Sequence, residues 1–140
     1  MSSTSLDALS PVDGRYRAAT DPLRGVMSEG GLIRERIRVE ALWVTHLAAA
    51  APRFAGSGLP AGVRSRAAEL AKHPPADAAE AVKAIEAKIN HDVKAVEYYV
   101  RRELAAAGAS EATLELVHFG CTSEDINNVS YARMLASARA

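Results

Sequence analysis

Seven apolar residues, Val82, Ile85, Ile89, Val93, Val96, Val100 and Leu104, follow one another at spacings of three or four. That repeat lines one face of an α-helix, whereas a half-buried strand needs a period of two. A second stripe of the same kind runs through Ile33, Ile37, Ala41, Val44, Ala48 and Ala51, and a shorter one through Val63, Ala67 and Leu70. Aromatic residues make up only 5% of the chain, and no segment alternates cleanly between apolar and polar. The sequence predicts an all-α fold.

Breakers and caps divide these stripes. Residues 1–28 are expected to be irregular, with Pro11, Gly14, Pro22 and Gly25 as breakers. The first long helix is predicted from about Gly31 to Ala51, ended by Pro52 and the Gly56-Ser57-Gly58 cluster. A short one follows from Gly62 to Lys72 and stops at His73-Pro74-Pro75. Asp77 and Glu80 have capping-box spacing at the start of the next. Asn90, His91 and Asp92, three poor helix formers, then interrupt the longest stripe without shifting its phase. The expectation is a break there, with Asn90 capping a new helix. Gly108 reads as a residue just past a helix end, and Ser110 as the cap of a short helix to about Val117. The last helix is predicted to start at Thr122 or Ser123. Ser137-Ala138-Arg139-Ala140 carries no stop signal, so the chain is expected to be cut inside that helix and to belong to a longer protein.

A chain of 140 residues is long enough for one domain with a hydrophobic core. Lys plus Arg and Asp plus Glu number 17 each, which points away from nucleic acid and from a charged membrane surface as partners. The single cysteine, Cys121, leaves no internal disulfide framework and fits a reducing compartment. The first residues show no signal-peptide pattern, and the apolar run from Leu47 to Ala51 is too short to span a bilayer. A cytoplasmic location without a membrane partner is expected.

Three polar stretches stand out. Arg15-Tyr16 follows the turn dipeptide Asp13-Gly14, and it combines a planar fork of donors suited to phosphate with a phenol hydroxyl. Taken alone, it also fits a surface turn. Asn90-His91-Asp92 gathers an amide, a titratable imidazole and a carboxylate, or else a capping Asn beside solvated neighbours. Thr122-Ser123 at a helix start offers two hydroxyls where the helix dipole favours an anion, or else is simply a cap. His118 fits a hydrogen-bonded core histidine better than a ligand, and Cys121 a small apolar residue. The four histidines show no metal-ligand spacing, and no phosphate-binding glycine loop or dinucleotide fingerprint occurs.

The runs from Ser10 to Tyr16, from Asn90 to Tyr99 and from Val117 to Asn128, in this order, resemble the N-terminal part of the adenylosuccinate lyase family. The resemblance extends from Ser10 to the chain end. It implies the N-terminal helical domain of the fumarase/aspartase-like lyase fold over residues 1–121, with residues 122–140 opening the first long helix of a central bundle. It implies a homotetramer, no metal or organic cofactor, and β-elimination of fumarate from two succinylated purine nucleotides, adenylosuccinate and the succinylated aminoimidazole carboxamide ribotide. It also implies site roles: Arg15 and Tyr16 at the nucleotide phosphate, Asn90, His91 and Asp92 along the substrate with His91 near the succinyl group, and Thr122 and Ser123 on a succinyl carboxylate. His118 matches a histidine lining the site. The serine base and histidine acid of the family fall beyond residue 140, so this chain alone is expected to be inactive. A non-enzymatic helical oligomerisation or binding module, and a sister lyase with another succinyl or amino-acid substrate, stay open as alternatives.

Overall fold

A computed structural model describes residues 8–51 and 58–139. The described residues form helices and turns with no strand among them, as the periodicity predicts. Three short helical pieces come first: α1 (Arg17–Thr20), a 3₁₀ turn (Asp21–Leu23) and α2 (Arg24–Met27). The stretch expected to be irregular is therefore helical from Arg17, because Pro22 sits at the start of the 3₁₀ turn, where its missing N–H costs nothing.

The long helix α3 (Glu29–Ala50) is the spine of the fold. Ser28 caps it, its hydroxyl accepting from the Gly31 N–H at 3.1 Å, so it starts two residues before the predicted position. A Cβ on Gly31 would meet the carbonyl of Val26; glycine lets α2 turn tightly onto α3. Ile33, Ile37, Ala41, Val44 and Ala48 are buried as the stripe requires. Pro52, Gly56 and Ser57, read from sequence as part of the helix stop, lie outside the described residues.

Helix α4 (Ala61–Lys72) lays Val63, Ala67 and Leu70, each fully buried, against α3. Helix α5 (Ala78–Ile89) follows. Asp77 is its N-cap residue, but the side chain makes no capping bond, so the predicted capping box does not form there. Helix α6 (Asp92–Ala106) packs on α5, α3 and α4. It ends as predicted at Gly108, whose φ is +90°. Gly108 N–H bonds the Ala105 carbonyl and Ala109 N–H the Leu104 carbonyl, a Schellman closure. Ser110 caps the one-turn helix α7 (Glu111–Leu114), and turns lead from there to α8 (Ser123–Arg139), which lies against α3 and α2.

The break in the longest stripe is real, but its capping differs from expectation. Asn90 ends α5 in the left-handed conformation, φ 54° and ψ 40°. It therefore cannot start α6; His91 does so, with extended backbone and a side-chain cap. Asn is the side chain best suited after Gly to that left-handed position. The break also releases Ile89 from the core: it is exposed, while Val93, Val96, Val100 and Leu104 beyond it are buried.

Candidate functional site

Two of the three polar stretches meet on α3. At the start of α6, the His91 imidazole Nδ1 accepts the Lys94 N–H at 3.2 Å. A neutral ring with Nδ1 accepting carries its proton on Nε2. The next residue, Asp92, places Oδ2 2.9 Å from the Arg36 guanidinium. Burial pushes the Asp92 carboxyl up, but the Val93 N–H and the Arg36 charge outweigh it and hold it below its ordinary value.

Arg36 itself is only 5% exposed. Its Nε donates to Asn127 Oδ1 at 2.9 Å, on the second turn of α8. One buried guanidinium thus joins the Asn90–Asp92 turn to the helix that begins at Thr122–Ser123. Beneath it, Val39, Val93 and Ile126, from α3, α6 and α8, form a small buried apolar cluster, with Cys121 packed against it.

The start of α8 is a reciprocal cap. Asp125 Oδ2 accepts from the Thr122 backbone N–H at 2.7 Å and from its hydroxyl at 2.9 Å. Thr122 Oγ1 lies 3.4 Å from the Asp125 N–H it faces in return. This is a capping box with Asp in the place of Glu. The Thr122 bonds hold the Asp125 carboxyl below its ordinary value. Thr122 is thereby engaged in the cap, while Ser123, half-buried, opens the helix proper.

The turn leading into Thr122 is pinned to α3 as well. Glu40, fully buried, accepts the His118 backbone N–H at 3.1 Å and pairs with its Nδ1 at 2.6 Å. Burial drives the Glu40 carboxyl up and the Glu97 charge adds to it, against the lowering effect of the His118 bonds. Trp43 Nε1–H donates to the Phe119 carbonyl at 2.8 Å. Burial, with the charges of Glu40 and Asp125, raises the Cys121 thiol above its ordinary value. The reading of His118 as a hydrogen-bonded, largely buried histidine and of Cys121 as a packing residue agrees with this geometry.

The third stretch stands apart. Asp13 and Gly14 N–H groups both bond the Ser10 carbonyl, forming the expected turn. Arg15 and Tyr16 are exposed, and the guanidinium lies 4.7 Å from the centre of the Tyr16 ring. Among the described residues, no hydrogen bond or ion pair joins them to the Asn90–Asp92 or Thr122–Ser123 segments. A neighbouring concavity of about 330 Å³, lined by Val12, Asp13, Leu23, Arg24 and Met27 among others, includes neither residue.

Sequence reasoning missed Arg36, Glu40, Trp43 and Asn127. The signal was present in part: Arg36 and Glu40 sit four apart, beside or within the apolar phase of α3, where a charge needs a partner. Their partners lie more than 50 residues away and cannot be read from spacing. Among the described residues, no cluster of His, Cys, Asp and Glu has the makings of a metal site, and no helix is long and apolar enough to cross a membrane.

No family model matches the chain. Its similarity to individual proteins is extensive. The adenylosuccinate lyase of Escherichia coli strain K12 is 46% identical over 99% of this chain, and that of Vibrio cholerae 44% over the same share. The adenylosuccinate lyase of Legionella pneumophila strain Corby is 39% identical, again over 99% of the chain. In each comparison the chain spans 30% of the relative's length. Across practically all of its residues, the chain is similar in sequence to one part of adenylosuccinate lyase.

Proposed function

We propose that this chain supplies part of the substrate-binding surface of an adenylosuccinate lyase, which eliminates fumarate from adenylosuccinate to give AMP and from the succinylated aminoimidazole carboxamide ribotide. The observation that carries this reading is the joining of the Asn90–Asp92 turn and the Thr122–Ser123 helix start through Arg36. The 46% identity to a protein of that name supports it. A substrate with a phosphate and two carboxylates needs donors, and helix starts, hydroxyls and guanidinium groups supply them.

In this reading Arg15 and Tyr16 hold the nucleotide phosphate. Asn90, His91 and Asp92 line the substrate, His91 presenting its Nε2 edge toward the succinyl group. Ser123, with Thr122 shaping the turn, receives a succinyl carboxylate at the positive end of α8. The base and the proton donor come from other segments of the full protein, as the resemblance implies, so this chain alone turns over no substrate. Residues 122–140 begin a helix of the central bundle of a cytoplasmic homotetramer, which completes each site.

The test is fumarate release from adenylosuccinate by the full-length protein, followed in the ultraviolet, with the 140-residue chain assayed beside it. Release by the full-length protein and none by the chain is the expected result. An inactive full-length protein, properly folded, overturns the assignment.

A further inference from the structure

We propose that Arg36 is a positioning residue that sets the orientation of Ser123 relative to His91. The proposal rests on the lyase reading for its kinetic test, but its structural core stands on the geometry alone.

Arg36 is a buried charge on the spine helix that engages two different elements: Nη2 forms an ion pair with Asp92 of α6 at 2.9 Å, and Nε donates to Asn127 of α8 at 2.9 Å. Asp92 adjoins the cap residue His91, so tethering its carboxylate fixes the first turn of α6. Asn127 lies four residues after Ser123, on the same face of α8 one turn on. Tethering its amide therefore fixes the rotation of α8 about its axis, and with it the direction of the Ser123 hydroxyl. The apolar cluster of Val39, Val93 and Ile126 brings the three helices together, but contacts of that kind are non-directional and permit a helix to rotate. The planar guanidinium adds direction at the start of α8, since its donors leave at set angles; two turns further on, Arg133 Nε donates to Glu35 Oε2 at 2.7 Å and orients α8 on α3 as well. Lysine, a compact point charge with freely rotating donors on a flexible stem, sets no fixed angle between two partners, so in its place neither segment is held in that orientation.

The experiment compares the full-length protein with its Arg36→Lys variant in two measurements. The first is amide hydrogen exchange over residues 90–95 and 122–128. Loss of protection in both segments together is expected; loss in one only, or in neither, overturns the proposal. The second is steady-state kinetics and melting temperature. With the reacting groups displaced, kcat/KM falls by about ten- to a hundredfold with the fold retained, as misplacement of the order of an ångström does. Unchanged kcat/KM in an active enzyme overturns the proposal. A wild-type protein that releases no fumarate overturns the lyase reading instead, and hydrogen exchange then decides the role of Arg36 by itself. An Arg36→Met variant controls for loss of the buried charge. Unfolding of Arg36→Met beside a folded Arg36→Lys with faster exchange in both segments supports the proposal, because it separates stability from positioning. Unfolding of both variants overturns it, since Arg36 then holds the fold as a whole.

Discussion

Glu40 and His118 are bonded twice, backbone N–H to Oε2 and imidazole Nδ1 to Oε1, and His118 holds this pose at a φ of +63°. A left-handed backbone at a non-glycine residue costs about 1–2 kcal/mol. Here the two bonds to a fully buried carboxylate offset that cost and bring the following turn, with Cys121 and Thr122, onto α3.

Three substitutions read this balance. Glu40→Leu removes the acceptor of a nearly buried N–H and imidazole, and stability should fall by about 2–3 kcal/mol. His118→Gly should be more stable than His118→Ala by about 1 kcal/mol, because only glycine relieves the left-handed backbone. Chemical denaturation of the three variants checks both statements. An alanine variant as stable as the glycine one would contradict the assigned backbone.

Asn90 and His91 separate conformation from chemistry. Asn90→Gly should keep the stability of the wild type to within about 0.5 kcal/mol, since glycine accepts a φ of 54°, whereas Asn90→Val should be clearly destabilised. His91→Asn preserves a side-chain acceptor at the cap and should change stability by about 0.5 kcal/mol or less. If His91 also acts on substrate, that same variant of the full-length enzyme loses activity. General acid–base help appears as a drop in kcat of about 10²–10⁴, and a pure binding role mainly as a rise in KM. Normal kinetics in His91→Asn would leave the residue with its capping role alone.

Arg15→Ala and Ser123→Ala test the anion contacts. Neither side chain is needed to hold the fold: Arg15 is exposed, and the cap of α8 is closed between Thr122 and Asp125. Each should lower kcat/KM of the full-length enzyme by the loss of one charge-assisted hydrogen bond, about 1.5–3 kcal/mol, with an unchanged melting temperature. Wild-type kinetics in either variant removes that residue from the site.

Asp125 makes the start of α8 sensitive to acid. Its carboxyl is held below the ordinary 3.8 by the Thr122 N–H and hydroxyl. A depressed carboxyl contributes stability above the unfolded value and loses it as pH falls through the lower, folded one. The wild type should therefore melt higher than Asp125→Asn near neutrality. That gap should close below pH 3.8, as the folded-state carboxyl takes up its proton. Melting curves of both proteins from neutrality to about pH 2 measure the gap, and one that does not vary with pH would mean the cap carries no charge-assisted bond.

Local physics was legible in the residues themselves. The stripes through Ile33 to Ala48 and Val63 to Leu70 dictate helices because only a 3.6-residue repeat gathers them on one buried face. Gly108 and Ser110 mark boundaries through backbone freedom and capping that depend on near neighbours alone. The three polar runs were likewise visible as anomalies, and their order carried the family resemblance that the sequence comparisons bear out. Tertiary structure decided the rest. That His91 and not Asn90 caps α6 follows from Asn90 taking the left-handed conformation where the chain turns from α5 to pack α6 against it. That Asp92 and Asn127 converge on Arg36, and His118 on Glu40, follows from α6 and α8 settling on the same spine helix. Hydrogen bonds act over about 3 Å of space, whatever separates the partners along the chain, and only the folded packing of α3, α6 and α8 brings these partners within that reach.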